Sequence, residues 1–298
     1  FNENNTELVD INNLRHEKTK LKFFKMQSCG NDYIFFDNMD GKITCPESLA
    51  INFVDRHFGI GGDGITLIER SEIADAKMRI FNKDGSEGAM AGNSIRCVAK
   101  YLFDNGFVSD KHIRIETLSG IRDLTLYTFN GKVSSVSVDM GKAVLEGKNI
   151  PSTLEGDTVV ARPIVVGGTE YAVTLVNVGN PHAVVFCEKV DAVDLANVGP
   201  LFEYSDYFPQ RINTEFVRVV NDKTLKMRVW ERGNGETLAC GTGAAASVVA
   251  AVLNGYCRTD EDITVKVRGG DLIVRYASDG TVTLTGNARL VFEGVIEF

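Results

Sequence analysis

The chain has 298 residues, of which 44% are hydrophobic and 24% charged, as expected for a globular protein of two moderate domains. Its formal net charge of −8 argues against nucleic acid or a membrane surface as the main partner, and no apolar run could span a bilayer. The six cysteines show neither a CxxC motif nor metal-ligand spacing, which predicts a reduced, cytoplasmic protein without a bound metal.

The first half of the chain is predicted to alternate short strands with helices. Residues 1–20 have little periodicity and are expected to form a flexible or added arm. A helix is predicted at Pro46–His57, and a buried helix follows residue 91. Alternating β-branched residues from Ile113 to Val138 predict antiparallel strands. Further strands are predicted at Leu21–Gln27, Tyr33–Asp37, Ile65–Ile68 and Lys77–Asn82.

The segment Gly59–Gly64, with the sequence GIGGDG, formally matches the glycine-rich motif of dinucleotide-binding folds. That motif requires a strand before it and a helix after it. Here a predicted helix precedes the segment and a predicted strand follows it. We therefore interpret the segment as a turn that shapes a pocket wall.

The second half repeats the pattern of the first, with a domain boundary predicted near Asp139–Lys142. Its second buried helix follows residue 240 and is preceded by the predicted strands INTEFVRV and LKMRVWERG. The remaining predicted strands lie at 158–166, 169–178, 179–186, 263–267, 272–276, 282–285 and 288–297. The sequence thus predicts an α/β protein of two similar halves.

The two buried helices resemble each other in sequence. Ala91–Phe107 aligns without gaps against Cys240–Tyr256, an offset of 149 residues that pairs Gly92 with Gly241. Both segments follow a short acidic, glycine-bearing stretch. These features indicate a duplicated domain with paired helix N-termini. One difference matters for chemistry, because Cys240 in one copy corresponds to Ala91 in the other.

Cys240 is predicted to lie at the first turn of its helix, after a glycine-rich loop. Unpaired backbone N–H groups and the positive end of the helix dipole are exposed at such a position. Both favour a thiolate, the reactive form of cysteine. The neighbouring glycines leave room for a small anion such as a carboxylate to bind the N–H groups.

Six motifs together resemble the diaminopimelate epimerase family of pyridoxal-independent amino-acid racemases, from about Leu21 to the C-terminus. They are CGNDY at 29–33, FNKDGSE at 81–87, GNSIRC at 92–97, GNPH at 179–182, INTEF at 212–216 and ERGNGETLACGTG at 231–243. The resemblance implies two pseudo-symmetric domains, each a mostly antiparallel β-sheet wrapped around a central helix, with the active site between them. Residues 21–139 would form the first domain, 140–285 the second, and 286–298 would return to the first.

The same resemblance implies the conversion of LL-2,6-diaminopimelate to meso-diaminopimelate without any cofactor. Two thiols would transfer the protons at Cα, and helix N–H groups would stabilise the charge on the substrate carboxylate. Cys240 corresponds to one thiol, Ala91 stands where the family has the other, and His182 would tune a nearby thiol. The substrate-binding residues implied are Asn31, Asn82, Gly92, Asn93, Asn180, Asn213, Glu231, Arg232, Gly241 and Thr242.

Two departures from the family pattern affect this expectation. An alanine at position 91 can neither take nor give a proton, so inversion by two bases should fail. The preferred explanation is a deliberate replacement; a natural homologue running one-thiol chemistry and a binding-only relative are the others. The second departure is Gly64, where many relatives carry glutamine, and this leaves the contacts to the far end of the substrate open.

Two alternative functions remain at this point. The protein could racemise another amino acid, such as histidine or lanthionine, or it could be a catalytically silent amino-acid-binding homologue. In each case the partner is a small amino acid, with no role for nucleic acid or membrane. Relatives commonly dimerise, so a homodimer is a possible assembly.

Overall fold

The computed structural model describes residues 20–88 and 90–297, so the predicted arm lies outside the described residues except for Lys20. The first half contains β1 (Lys20–Ser28), β2 (Asn31–Asp37), α1 (Pro46–Phe53), β3 (Gly64–Glu69), β4 (Ala76–Asn82), β5 (Glu87–Gly88), α2 (Gly92–Asp104), β6 (His112–Thr117), β7 (Gly120–Phe129) and β8 (Lys132–Lys142). The second half contains β9 (Arg162–Val166), β10 (Thr169–Asn177), β11 (Pro181–Phe186), α3 (Leu195–Glu203), β12 (Asn213–Asn221), β13 (Thr224–Glu231), β14 (Gly235–Glu236), α4 (Gly241–Leu253), β15 (Asp262–Val267), β16 (Gly270–Tyr276), β17 (Thr281–Asn287) and β18 (Arg289–Glu297).

The strand pairings of the two halves follow the same pattern. In the first half β1 pairs antiparallel with β2, β2 parallel with β3, β3 antiparallel with β4 and β4 parallel with β6. The second half repeats this sequence: β10 pairs antiparallel with β11, β11 parallel with β12, β12 antiparallel with β13 and β13 parallel with β15. The predicted α/β fold of two pseudo-symmetric halves is confirmed.

Each half encloses one central helix. Helix α2 buries Ile95, Val98, Ala99 and Leu102, which lie on one face at the spacing of an amphipathic helix. Helix α4 is buried on nearly all sides from Gly243 to Ala251, as its run of alanine and valine predicts. The two helices belong to separate hydrophobic cores but also contact each other.

Two strand pairings join the halves. Strand β8 pairs antiparallel with β17, and the last strand, β18, pairs antiparallel with β1. Phe292 of β18 lies edge-on to the buried Phe23 of β1, with ring centroids 5.9 Å apart. The domain boundary predicted after Asp139 falls inside β8, because that strand continues to Lys142. The division into domains therefore stays a prediction.

Helix α1 is shorter than the sequence predicts. It ends at Phe53 rather than His57, because the chain folds back and the amides of Ile60 and Gly61 bond to the Phe53 carbonyl. Gly61 has a φ of 83°, a value that favours glycine. Residues 59–63 of the GIGGDG segment therefore form the turn between α1 and β3, as interpreted above, and Gly64 begins β3.

Candidate active site

The starts of the two central helices line one cavity of about 850 Å³. Ala91, Gly92 and Asn93 contribute from α2, and Cys240, Gly241 and Thr242 contribute from α4. Leu284 of β17 lies between the two starts: its Cδ2 is 3.7 Å from the ideal Cβ position of Gly92 and 2.8 Å from that of Gly241. The helix N-termini thus share one cleft, the size of which suits a small ligand.

Ala91 and Cys240 occupy equivalent backbone positions. Each is the N-cap residue of its helix, with φ and ψ of −132° and 117° for Ala91 and −123° and 114° for Cys240. A side chain at either position therefore leaves the backbone in the same direction relative to its own helix. The second copy places a sulfur at this position and the first places a methyl group.

The environment of Cys240 favours the thiol. Burial raises the pKa of Cys240 well above its usual value, and the nearby carboxylates of Glu231 and Glu215 raise it further. The Gly243 amide, which donates to the sulfur at 3.3 Å, and the Thr242 hydroxyl at 3.4 Å oppose this effect. The net direction corrects the expectation of a thiolate, because desolvation outweighs the helix terminus.

Asparagine side chains supply much of the polar lining, as the sequence predicts. Asn31, Asn82, Asn93 and Asn180 all border the cavity. The Asn31 amide donates to Asp63 Oδ2 at 2.6 Å, and the Asn82 amide donates to Ser86 Oγ at 3.0 Å. The side chains of Asn31 and Asn82 are thus each oriented by a neighbouring residue.

Glu231 also lines the cavity, close to Cys240. Its Oε1 accepts a hydrogen bond from the Thr237 hydroxyl. Burial raises the pKa of Glu231, and the Glu215 carboxylate raises it further, whereas Thr237 and His182 lower it. The carboxyl group therefore favours its protonated form more than an exposed glutamate does.

Three of the predicted site residues, His182, Asn213 and Arg232, do not border the cavity, and the first two are buried behind its wall. His182 is fully buried between Glu215 Oε1, 2.7 Å from its Nδ1, and Asn180 Oδ1, 2.9 Å from its Nε2. The Asn213 amide donates to the Pro181 carbonyl at 2.9 Å, and its Oδ1 accepts from the Arg232 amide at 2.9 Å. The Arg232 guanidinium is partly exposed and donates to the Gln210 carbonyl at 3.1 Å. The predicted roles of all three residues in substrate binding and chemistry stay predictions.

Gly64 leaves no room for a side chain in this arrangement. A Cβ at position 64 would lie 2.5 Å from the Phe81 carbonyl oxygen and 2.8 Å from the Tyr33 ring. Tyr33 itself borders the cavity. The Tyr33 ring therefore occupies the space that a larger side chain at position 64 would need. This is the position at which the sequence departs from the family pattern.

The cavity also has charged residues that the sequence reasoning missed. Arg56 donates to both carboxylate oxygens of Asp32, at 3.0 and 2.6 Å, and to Asp63 at 3.0 Å. Arg122 of β7 reaches the lining, and its Nε has no hydrogen-bond partner among the described residues. Asp63 lies within the GIGGDG segment and could have been found there. Nothing in the local sequence marks Arg56 or Arg122, because only the fold brings them to the cleft.

Comparison with known proteins identifies relatives over nearly the whole chain. The family model described as diaminopimelate epimerase matches residues 23–146 and 174–291. A diaminopimelate epimerase of Acetivibrio thermocellus is 49% identical over 278 residues, covering 93% of this chain and 99% of the relative. A diaminopimelate epimerase of Methanococcus maripaludis is 48% identical, covering 93% of this chain and 100% of the relative.

Solved structures extend the likeness of the fold. A probable proline racemase from Agrobacterium radiobacter, solved with bound carbonate, superposes with a TM-score of 0.67 at 15% identity, covering 92% of each chain. Within residues 20–88 and 90–297 no cluster of His, Cys, Asp or Glu could hold a metal ion. Over the same residues no helix is both long and apolar enough to cross a membrane.

Proposed function

The chain belongs to the diaminopimelate epimerase family, and on that premise we propose that its cleft binds 2,6-diaminopimelate for inversion of one α-carbon from the LL to the meso form. The observation that carries this proposal is the convergence of two equivalent N-cap positions, 91 and 240, on one cavity. Inversion requires a proton to leave one face of Cα and another to arrive at the opposite face. Groups at facing helix starts are suited to that geometry.

The substrate carboxylate would bind the N–H groups at the starts of α2 and α4. Those groups have no partner within their own helices, and the helix dipoles favour an anion. Negative charge develops on this carboxylate when Cα loses its proton, so the same N–H groups stabilise the intermediate. The amides of Asn31, Asn82 and Asn180 would hold the amino and carboxylate groups, and Glu231 would bind one end of the substrate.

Asn213 and His182, which are buried behind the wall of the cavity, would support those contacts. Asn213 joins the Arg232 backbone to the Pro181 carbonyl, which holds the segment that carries Glu231. His182 fixes the Asn180 side chain through Nε2 and contacts Glu215 through Nδ1. We assign these residues to positioning of the cleft, with His182 and Glu215 also acting on the field around Cys240.

Ala91 limits what this chain can do. With a single thiol, a proton can be removed and returned only on the Cys240 side, so the chain would exchange a Cα proton with solvent without inverting the centre. Incubation of LL- and meso-diaminopimelate in D₂O measures this directly by mass spectrometry. Deuterium incorporated with retained configuration supports one-thiol chemistry. Binding without any incorporation would instead indicate a silent amino-acid-binding protein.

Restoring the second thiol tests the epimerase proposal. We expect Ala91→Cys to raise the rate of interconversion by at least ~10², the usual contribution of one acid–base group. Ala91→Ser is the matched control for size, and Cys240→Ala in the Ala91→Cys background should abolish the gain. If the restored protein turns over histidine or lanthionine but not diaminopimelate, the substrate is wrong. If it turns over no amino acid tested, the enzyme proposal fails.

A further inference from the structure

A buried carboxylate at the end of helix α3 holds the turn between β13 and β14, which comprises residues 231–235. Glu203 is only 3% exposed. Its Oε1 accepts from the Gly233 amide at 2.9 Å and from Arg211 Nη1 at 3.2 Å, and its Oε2 accepts from the Trp230 indole at 2.7 Å. Burial of a carboxylate is costly unless hydrogen bonds or a cation compensate for it. Here three donors do so, and two of them belong to the hairpin that the turn closes.

Two consecutive backbone amides of the β13–β14 turn are bound by side chains from outside the hairpin. The Arg232 amide donates to Asn213 Oδ1 and the Gly233 amide donates to Glu203 Oε1, each at 2.9 Å. Gly233 has a φ of 83°, a value that favours glycine. The conformation of the turn is therefore fixed from β12 and from α3, and not by the hairpin alone.

The Trp230 side chain packs directly on helix α3. A Cβ added at Gly199 would lie 2.3 Å from the indole ring, so a larger residue there would displace the ring. Gly199 and Glu203 are four residues apart and therefore lie on the same face of the helix. Helix α3 thus contacts the hairpin through close packing at one position and through a carboxylate at the other.

The turn carries residues that line the cleft, whereas the groups that hold it do not. Glu231 and Asn234 border the cavity, but Glu203, Trp230 and Gly233 are absent from its lining. Glu231 directly follows Trp230 in β13, and the proposed function assigns it to one end of the substrate. Glu203 therefore acts one residue away from a proposed substrate contact.

The first half forms an equivalent hairpin without a buried carboxylate among the described residues. Strands β4 and β5 pair antiparallel, as β13 and β14 do. Their turn is tied to the segment after α1 by Lys83, which is 68% exposed and lies 3.0 Å from Asp55 Oδ2. Exposed ion pairs of this kind contribute little to stability. The fold does not require a buried carboxylate at this place, so Glu203 has a local role in the second half.

We propose that Glu203 is a positioning residue for the cleft, which acts through Trp230 and Gly233 to hold Glu231 where the substrate binds. This inference rests on the proposed function, because it concerns the placement of a proposed substrate contact. It goes further by assigning part of the affinity to a residue outside the cavity. A wall that is already fixed costs little ordering when the ligand arrives, whereas a loosened wall must be ordered by binding.

The fluorescence of Trp230 reports on this turn, because Trp230 is the only tryptophan in the sequence. Titration of the unmodified chain with diaminopimelate, followed by fluorescence and by calorimetry, gives the Kd. Glu203→Gln keeps the shape of the side chain but leaves one acceptor oxygen for two donors of the hairpin. We expect the Kd to rise about tenfold, because the binding-competent geometry of the turn becomes a minor population. The emission maximum of Trp230 should also shift without ligand.

Two further variants separate positioning from general stability. Leu195→Ala removes a buried leucine from the same helix and the same core, and should lower the melting temperature without changing the Kd. Trp230→Phe removes the indole donor, so the glutamine of a Glu203→Gln, Trp230→Phe protein can serve the Gly233 amide alone. Glu203→Gln should therefore raise the Kd less in that background, as measured by calorimetry.

Hydrogen exchange of the ligand-free protein separates this inference from the proposed function. Peptides covering residues 230–236 should exchange about tenfold faster in Glu203→Gln, and at the parent rate in Leu195→Ala. If the parent binds no diaminopimelate, the proposed function fails, and exchange still decides whether Glu203 holds the turn. Unchanged exchange, or an unchanged Kd where the parent binds, would overturn the inference. Should Glu203→Gln fail to fold, Trp230→Phe takes its place in both measurements, since it removes one of the two contacts to the hairpin.

Discussion

At Cys240 two physical effects oppose each other, and their sizes decide the protonation state. A helix N-terminus stabilises an adjacent anion by about 0.3–1 kcal/mol, or ~2 kcal/mol in favourable buried geometry. Full burial shifts a pKa by up to 3–5 units, at about 1.4 kcal/mol per unit. Cys240 is 7% exposed and has two carboxylates nearby, so burial prevails. The sequence shows the helix start but not the desolvation.

Glu231 provides a test of burial at the level of one residue. Its folded-state pKa is raised, so the folded protein holds this proton at pH values where the unfolded chain has released it. Stability is therefore lost as pH rises from the unfolded pKa through the folded one. Glu231→Gln removes the ionisation, and we expect its melting temperature to exceed that of the parent at pH 8, with the difference shrinking towards pH 4.

Glu236 is the control for this prediction. It also lines the cleft, but its carboxylate accepts from Arg228 at 2.9 and 3.1 Å and pairs with Arg268 at 3.0 Å. Glu236→Gln should therefore lower the melting temperature at pH 8. A Glu231→Gln protein that is also less stable at pH 8 would contradict the burial argument.

At the scale of elements, helices α2 and α4 are equivalent in position but differ in how closely their first turns are packed. Gly243 lies in the first turn of α4 with Glu215 directly against it, whereas Gly92 in α2 has only ordinary contacts. This difference follows from residues on other strands. The duplicated sequence predicts both helices, but it does not distinguish the spaces around them.

Substitution of the two glycines separates close packing from helix propensity. Alanine is favoured over glycine in a helix by about 0.5–1 kcal/mol. At Gly243 the added methyl would lie 2.7 Å from Glu215 Oε1, and overpacking typically costs about 1–3 kcal/mol. We expect Gly243→Ala to lower the free energy of unfolding and Gly92→Ala, with a nearest contact of 3.7 Å, to leave it unchanged or raised. Chemical denaturation measures both, and equal effects would refute the packing argument.

At the scale of the molecule, the cleft depends on strands that join the two halves. Leu284 of β17 lies between the two helix starts, and β17 itself pairs with β8 of the first half. Strand β18 then closes the chain against β1. The relative placement of positions 91 and 240 is therefore set by residues far from both in sequence.

Truncation of Leu284 tests this placement. Leu284→Ala removes a fully buried side chain and should lower the free energy of unfolding by ~2–5 kcal/mol. Leu272→Ala removes an equally buried leucine from the same core and should cost a similar amount. In the Ala91→Cys background, Leu284→Ala should lower kcat more than Leu272→Ala does. Equal losses of kcat would show that Leu284 stabilises the core without positioning the helix starts.

The sequence by itself determined most of the strands, both central helices, the duplication and the group of residues near Cys240, because periodicity, turn residues and motifs are local properties of the chain. Only the tertiary structure decided that His182 and Asn213 lie behind the cavity wall, that Arg56 and Arg122 reach it, and that Arg96 and Glu215 are buried within the protein. The physical reason is that desolvation and electrostatic fields depend on what the fold brings together, and a local pattern carries no record of those distant neighbours.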